Sequence, residues 1–376
     1  MTEKAKPHFG LFAVWRLIAA ILVMIYHFSA YGPEFYQALN IGMERLTPML
    51  DMFFIISGLL IWFHYADRIQ SWQSLRVFIV RRLARIYPLH LVTLSFFCFV
   101  ALAVHFGVVS TADPERYSLA ELGRELLLIN AWGTGDVLGY NYVSWSLSAE
   151  WFAYLAFPLI VFIYRRNGLI GLVTLLLCCV AVLEGATKLE LMPFPTWLEA
   201  NTWGAYRVLA DFVLGAILAD CILRHPVKVK SHLAPWGLFA LSMIMMISGV
   251  SSGYLTIAVI ALSLYVAGCI DLVSPEKGRY LRPLMPVAAV SFGMYLWHPV
   301  LAVTLLGFGW RHILEPMQTV PFTAILIVGL IASTIVAMIS ARLIEQPMRA
   351  MILCLAESRK TKRQKASNRA RAIPAE

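Results

Sequence analysis

Apolar runs of about twenty residues, separated by short polar gaps, recur along the chain from residue 11 to residue 343. In helical form such a run crosses about 30 Å of hydrocarbon, and a helix satisfies its own backbone groups where no water can. The pattern predicts ten transmembrane helices at 11–31, 47–66, 86–108, 144–164, 167–185, 204–223, 232–249, 253–271, 284–308 and 321–343. Only a few residues around Gly249 and Gly253 part the seventh from the eighth, which suits a tight hairpin. The stretch 118–131 (SLAELGRELLLINA) is amphipathic, too short and too charged to span, and is expected to lie at the interface. The expected fold is all-α, a polytopic transmembrane helical bundle. Residues 1–350 make one integral membrane domain, and 351–376 form a basic, disordered cytoplasmic tail that touches anionic lipid headgroups.

Composition points the same way. The 376 residues are 60% hydrophobic and 14% charged, with a mean hydropathy of +0.71, whereas soluble domains carry about 25% charged residues. That leaves too little polar surface to coat a water-soluble globule. The first apolar run is long, carries Arg16 and His27, and has no small-residue cleavage site after it, so it reads as a helix and not as a signal peptide. The six cysteines (Cys98, Cys178, Cys179, Cys221, Cys269, Cys354) fall in apolar stretches without a CxxC pair. They read as small buried hydrophobes, and no metal site is expected.

The net charge of +9 is distributed unevenly. With the N-terminus inside, the cytoplasmic gaps hold Lys4 and Lys6; Arg68, Arg76, Arg81, Arg82 and Arg85; Arg165 and Arg166; Arg224, Lys228 and Lys230; and Lys277, Arg279 and Arg282. The basic tail adds to them. The opposite side holds Arg45, Arg116, Arg124, Lys188 and Arg311. Every inside gap is basic and every outside gap is poor in Lys and Arg, so both termini are expected in the cytoplasm. The charge is therefore a topology signal, and no nucleic-acid partner is inferred from it.

Ionisable groups inside the spans are the functional candidates, because each costs at least about 2.5–3.5 kcal/mol near the bilayer centre. Arg16 and His27 are eleven residues apart, about 20° beyond three full helical turns, so they share a face about 16 Å apart along the axis. The plain alternative is a snorkelling arginine and a histidine bonded to a neighbouring carbonyl. Asp51 and Glu150 fall near the depth of His27, and His298 lies in the external half of the ninth span. Arg207 and Asp211 lie on that side too, four apart and able to pair. On the cytoplasmic side RRLARIYPLH sets Arg82 and Arg85 three apart on one helix face, where they either anchor the helix or fork onto phosphate oxygens.

An arginine-lined mouth inside and a histidine near the far end suit a long donor with a phosphorylated head and a reactive tail. Acyl-CoA has that form. A neutral His27 would take the proton of an acceptor hydroxyl as it attacks the acyl carbon. Glu150 or Asp51 would orient the imidazole and stabilise its protonated form. Direct attack by His27 is the less favoured variant.

The chain resembles the bacterial acyltransferase family 3 of integral membrane acyltransferases. The matching pieces are Arg16 and His27 at R-x10-H spacing, LDMFFIISGLLI, Arg82 and Arg85 as R-x-x-R, WSLSAEWFAYLAFP, SFGMYLWHPV, and IEQPMR with Glu345. The resemblance covers nearly everything up to about residue 350. It implies an O-acyltransferase of the bacterial inner membrane that uses cytoplasmic acyl-CoA, usually acetyl-CoA, to modify exopolysaccharide, lipopolysaccharide or another surface glycan. It also implies that His27 is catalytic and that Arg16, Arg82, Arg85 and Glu345 serve activity or donor binding. Glu345 falls at the cytoplasmic end of the last span, far from His27. It is expected either at the donor mouth, holding the arginines, or in an ion pair with Arg342 or Arg349. His298 and Trp145 are the candidates for the acceptor side. Trp132, Tyr140, Tyr142, Trp197 and Trp203 suit either sugar stacking or an interfacial belt. The chain has Val14 and Trp15 where members often have Asp-Gly before the arginine, and Trp151 where they often have a second Glu. A transporter of acyl groups or glycans is the main alternative, although it would usually show paired repeats and broken helices. A scaffold for glycan assembly would leave the aligned Arg16 and His27 without a purpose.

Overall fold

A computed structural model describes residues 9–111, 113–229 and 231–356. Lys4, Lys6, Lys230 and the basic stretch from Glu357 onward lie outside the described residues. Among the described residues the secondary structure is helical, with no strand. The helices are α1 (Gly10–Ser29), α2 (Glu34–Met43), α3 (Pro48–Tyr65), α4 (Trp72–His105), α5 (Leu119–Leu127), α6 (Trp145–Lys188), α7 (Gly204–Arg224), α8 (Leu233–Ser248) and α9 (Gly253–Val273). After them come α10 (Met285–Ala288), α11 (Ser291–Leu301), α12 (Glu315–Met317) and α13 (Phe322–Ser340). A π-helical stretch, Ala302–Leu314, prolongs α11, and α13 runs on as helix to Ala356.

Among the described residues, seven helical segments are long and apolar enough to cross a membrane. The expected fourth and fifth spans form the 44-residue α6, which breaks at Gly168. There φ is 62° and ψ −151°, a region open in practice only to glycine. The first leg lies beside α3 and the lower part of α7, with Tyr164 donating to Asp220 at 2.5 Å. The second leg packs Leu183 with Ala210 near the opposite end of α7. α7 is apolar apart from Arg207, Asp211, Asp220 and Arg224, and α8 has 16 residues.

Two helix boundaries depart from the hydropathy pattern. The third expected span starts at 86, but α4 begins at Trp72. Ser71 closes a reciprocal capping box with Ser74, and the arginines that follow are good helix formers, so polarity ends the apolar run without ending the helix. The ninth is broken at 289–290, between α10 and α11.

The amphipathic α5 sits inside out. Leu119 and Leu127 are 84% and 65% exposed, while Glu121 and Glu125 are buried. Glu125 accepts from Ser144 Oγ at 2.6 and 2.7 Å and from Asn130 Nδ2 at 3.2 Å, and His90 Nε2 lies 2.9 Å from its backbone oxygen. The helix is thus held to the bundle by the polar contacts of Glu125 and by Leu122, and turns Leu119, Leu126 and Leu127 outward.

α3 and α7 approach backbone to backbone. A Cβ on Gly58 would meet the Phe212 carbonyl oxygen at 2.3 Å, and one on Gly215 would meet that of Ile55 at 2.2 Å. Small residues let membrane helices pack this closely. Asp51 pairs with Arg207 toward one end of the interface and Gly58 meets Phe212 farther along, so the two helices run parallel. Of the cysteines, Cys269 is buried, whereas Cys178 and Cys354 are exposed. The expectation that all six are buried therefore fails for those two, which occupy outward helix faces where apolar side chains are equally at home.

Candidate active site

α1 carries Arg16 and His27 on one face, as their spacing predicts, and that face opens onto a succession of cavities. The inner chamber, about 330 Å³, is bounded by Arg16, Arg82, Arg85, Arg349, His64 and Tyr154, among others. A throat of about 60 Å³ follows, walled by Phe53, Phe54, Leu147 and Phe292. The outer chamber, about 300 Å³, contains His27 with Tyr26, Tyr142, Trp145, Asn201 and Arg207. Arg16, Ser57, Glu150 and Phe292 line both inner chamber and throat, and Leu50 and Tyr295 line both throat and outer chamber. The three spaces therefore adjoin in series.

The inner chamber is cationic. Arg16 lies over the Phe53 ring at 5.8 Å, and its Nε is buried without a partner among the described residues. Arg82 donates to Tyr65 Oη at 3.1 Å and lies among the Tyr65, Phe78 and Tyr154 rings at 5.0, 5.9 and 5.7 Å. Its Nε is also buried and unpartnered among the described residues. Arg85 lies over Phe292 at 5.5 Å. The aromatic faces hold the planar guanidiniums in place while leaving N–H groups for an anion. Glu345 neighbours Arg85 and Gly293, where an added Cβ would stand 3.4 Å from its Oε1. It forms no ion pair with Arg342 or Arg349 among the described residues, which leaves the expected place beside the arginines.

Glu150 and Asp51 stand elsewhere than expected. Glu150 accepts from Tyr154 Oη at 2.6 Å and from Ser57 Oγ, facing the inner chamber and throat and not the His27 chamber. Asp51 is bound through both oxygens by Arg207, Nε at 2.6 Å and Nη2 at 2.8 Å, with both side chains buried. Arg207, expected to pair with Asp211, is thus bound by Asp51. Neither acid reaches His27. Similar depth along the membrane normal had grouped them, but the two acids come from helices that present different faces to the cavities.

The group that meets His27 is His298. The rings are near parallel, 25° apart with centroids at 5.1 Å, and the Tyr142 ring lies 4.8 Å from His27 and 6.3 Å from His298, so the three rings cluster together. His298 is fully buried behind His27 and does not line the chamber, so the expectation of direct acceptor contact is not met. Its Nδ1 lies 2.7 Å from the Tyr295 carbonyl oxygen. A carbonyl only accepts, so that nitrogen carries the hydrogen. The free imidazole in the chamber belongs to His27, which makes no hydrogen bond among the described residues. Trp145 lines the chamber as expected and lies 6.1 Å from the Phe54 ring. Tyr154, Ser57 and Tyr295 were not singled out in the sequence, although they lie in WSLSAEWFAYLAFP, LDMFFIISGLLI and SFGMYLWHPV, and Arg349 was considered only as a partner for Glu345.

A family model described as an acyltransferase domain, of the acyltransferase 3 type, matches residues 12–342. The chain belongs to this acyltransferase family. It is 31% identical over 150 residues to acyltransferase MdmB of Streptomyces mycarofaciens, a stretch that covers 38% of this chain and 37% of that protein. It is 23% identical over 349 residues to nodulation protein 10 of Rhizobium leguminosarum bv. viciae, covering 86% of this chain and 92% of that one. No solved structure matches. Arg16, His27, Arg82 and Arg85 all face the cavities. The departures at 14 and 15 do not. Trp15 is fully buried and stacks on Phe239 at 4.9 Å, and Val14 is buried beside it.

Proposed function

We propose that the chain is a multi-pass O-acyltransferase of the bacterial inner (cytoplasmic) membrane. It transfers an acyl group, in the first place acetyl, from cytoplasmic acyl-CoA to a hydroxyl of a carbohydrate such as an exopolysaccharide, lipopolysaccharide or another surface glycan. The observation that carries this reading is the series of adjoining cavities, with an arginine chamber at one end and a free imidazole at the other. A transporter would need such a path as well, but membership of an acyltransferase family favours the enzyme.

Ten crossings with both termini in the cytoplasm fit this reading. The parallel course of α3 and α7 requires an odd number of crossings between them. α4 and the two legs of α6 supply three. Arg68, Arg81, Arg165 and Arg224 then lie at the end where the arginine chamber opens, on the side where acyl-CoA is made.

Arg16, Arg82 and Arg85 hold the donor phosphates, and Glu345 steadies Arg85. The pantetheine arm passes the throat and brings its thioester to His27. His27 takes the proton of the acceptor hydroxyl as that oxygen bonds to the acyl carbon. The carbon–sulfur bond then breaks, and the proton passes from His27 to the departing thiolate. His298 and Tyr142 pack together against the imidazole, and Trp145 faces the acceptor. Glu150 holds Tyr154 and Ser57 beside the arginines, and Asp51 locks Arg207 at the chamber wall.

His27→Ala should cut acyl transfer by at least about 100-fold while the purified protein keeps the wild-type melting profile. The assay follows loss of acetyl-CoA thioester together with the acyl mass on cell glycans. Transfer at the wild-type rate would sink the assignment.

A further inference from the structure

The inner chamber holds more positive charge than the family's three arginines bring. Arg349, on the helical continuation of α13, adds a fourth guanidinium, and His64 of α3 lies on the same wall. Glu150 is the one carboxylate among the chamber's lining residues and is already engaged by Ser57 and Tyr154. Arg349 itself forms no ion pair among the described residues. Four guanidiniums against Glu150 and the Glu345 that neighbours Arg85 leave the chamber net positive.

These side chains are ordered in depth. Arg16 is deepest, because it also lines the throat. Arg82 and Arg85 are half-buried on the walls, and Arg349 and His64 are exposed at the rim. His64 Nδ1 lies 2.7 Å from the Leu60 carbonyl oxygen, so Nδ1 donates there, and Nε2 donates to a phosphate oxygen in the imidazolium form, in which both ring nitrogens carry hydrogen. A donor whose tail threads the throat presents its diphosphate to the inner arginines and any phosphate on its nucleoside end to the rim.

We propose that Arg349 and His64 form an outer subsite for the phosphomonoester on the ribose of the donor, separate from the inner arginines that hold its diphosphate. This rests on the acyl-CoA reading above and adds a specificity to it, selection against donors that lack that phosphate. A guanidinium–phosphate contact is charge-assisted and bidentate where geometry allows, and its loss is worth about tenfold in affinity.

The test uses the full-length protein in lipid nanodiscs, with the Kd of acetyl-CoA compared with that of acetyl-3′-dephospho-CoA. Wild type should prefer acetyl-CoA by about tenfold. Arg349→Ala should weaken acetyl-CoA to the level of the dephospho donor and leave the dephospho donor unchanged. His64→Gln should shift the ratio in the same direction, and Arg82→Ala should weaken both donors alike. Arg349→Lys, which keeps the charge, should restore part of the preference and guards against a folding defect in the alanine variant. Equal weakening of both donors by Arg349→Ala, or a wild type that does not distinguish them, overturns the subsite while leaving the acyl-CoA reading in place. Failure of wild type to bind either donor overturns both.

Discussion

Asp51 and Arg207 illustrate how a buried charge acquires its role from its neighbour. Each side chain is 1% exposed, and the guanidinium meets both carboxylate oxygens. Removing one member strands the other away from water, at a cost of about 3–5 kcal/mol, whereas replacing both with apolar groups of similar volume is often nearly neutral. Asp51→Asn should therefore lower the melting temperature sharply, and Asp51→Leu combined with Arg207→Met should recover most of the loss. A double variant no more stable than the single one would show that the pair contributes more than mutual neutralisation. The face shared by Arg16 and His27 was legible in the sequence because helical spacing fixes angle as well as depth. The partners of Asp51 and Glu150 were not legible, because depth leaves open which way a helix is turned about its axis. His298 was recognised as a candidate. Its place behind His27 depends on how α1 and α11 pack, which no single helix encodes.

α5 shows a similar limit at the level of the element. Its amphipathic pattern was legible, but the pattern alone does not say which face goes inward when the surroundings are lipid. Leu119, Leu126 and Leu127 face out while Leu122 packs inward, and Glu125 faces in toward Ser144, Asn130 and His90. Burial pushes the Glu125 carboxyl up to about 8, an effect that the Ser144 hydroxyl partly opposes and neighbouring Glu121, itself paired with Arg124, adds to. In the unfolded chain the group titrates near about 4.3. Between those values the folded state holds the extra proton, so stability is full at acid pH and falls as pH rises toward about 8. Wild type should melt at lower temperature at pH 9 than at pH 5. Glu125→Gln, which keeps an acceptor but cannot ionise, should flatten that slope, and an unchanged slope would remove Glu125 as its source. Helix identities were otherwise well legible from apolar runs, and the shifts at α4 and α6 have local causes. Arginines extend a helix past its apolar stretch, and the glycine at 168 lets two helical legs join without an intervening loop.

For the whole molecule, positive charge at one end and the parallel α3 and α7 make the same demand on topology. Asn167→Cys, at the α6 bend, should react with a membrane-impermeant maleimide only from the cytoplasmic side, and Glu190→Cys only from outside. Labelling of both from one side would mean that the second leg of α6 does not cross. The succession of cavities carries one more consequence. A bundle that lets a reactive group cross from one face to the other is open to becoming a leak in a membrane that stores energy as a proton gradient. The collar of Phe53, Phe54, Leu147 and Phe292 narrows the route to about 60 Å³, room for no more than a few waters, and the buried Arg16 beside it opposes the entry of cations. In the proposed reaction the two compartments would exchange an acyl group across this constriction while protons stay on their own sides, so the rings that guide the donor arm would also preserve the cell's electrochemical store.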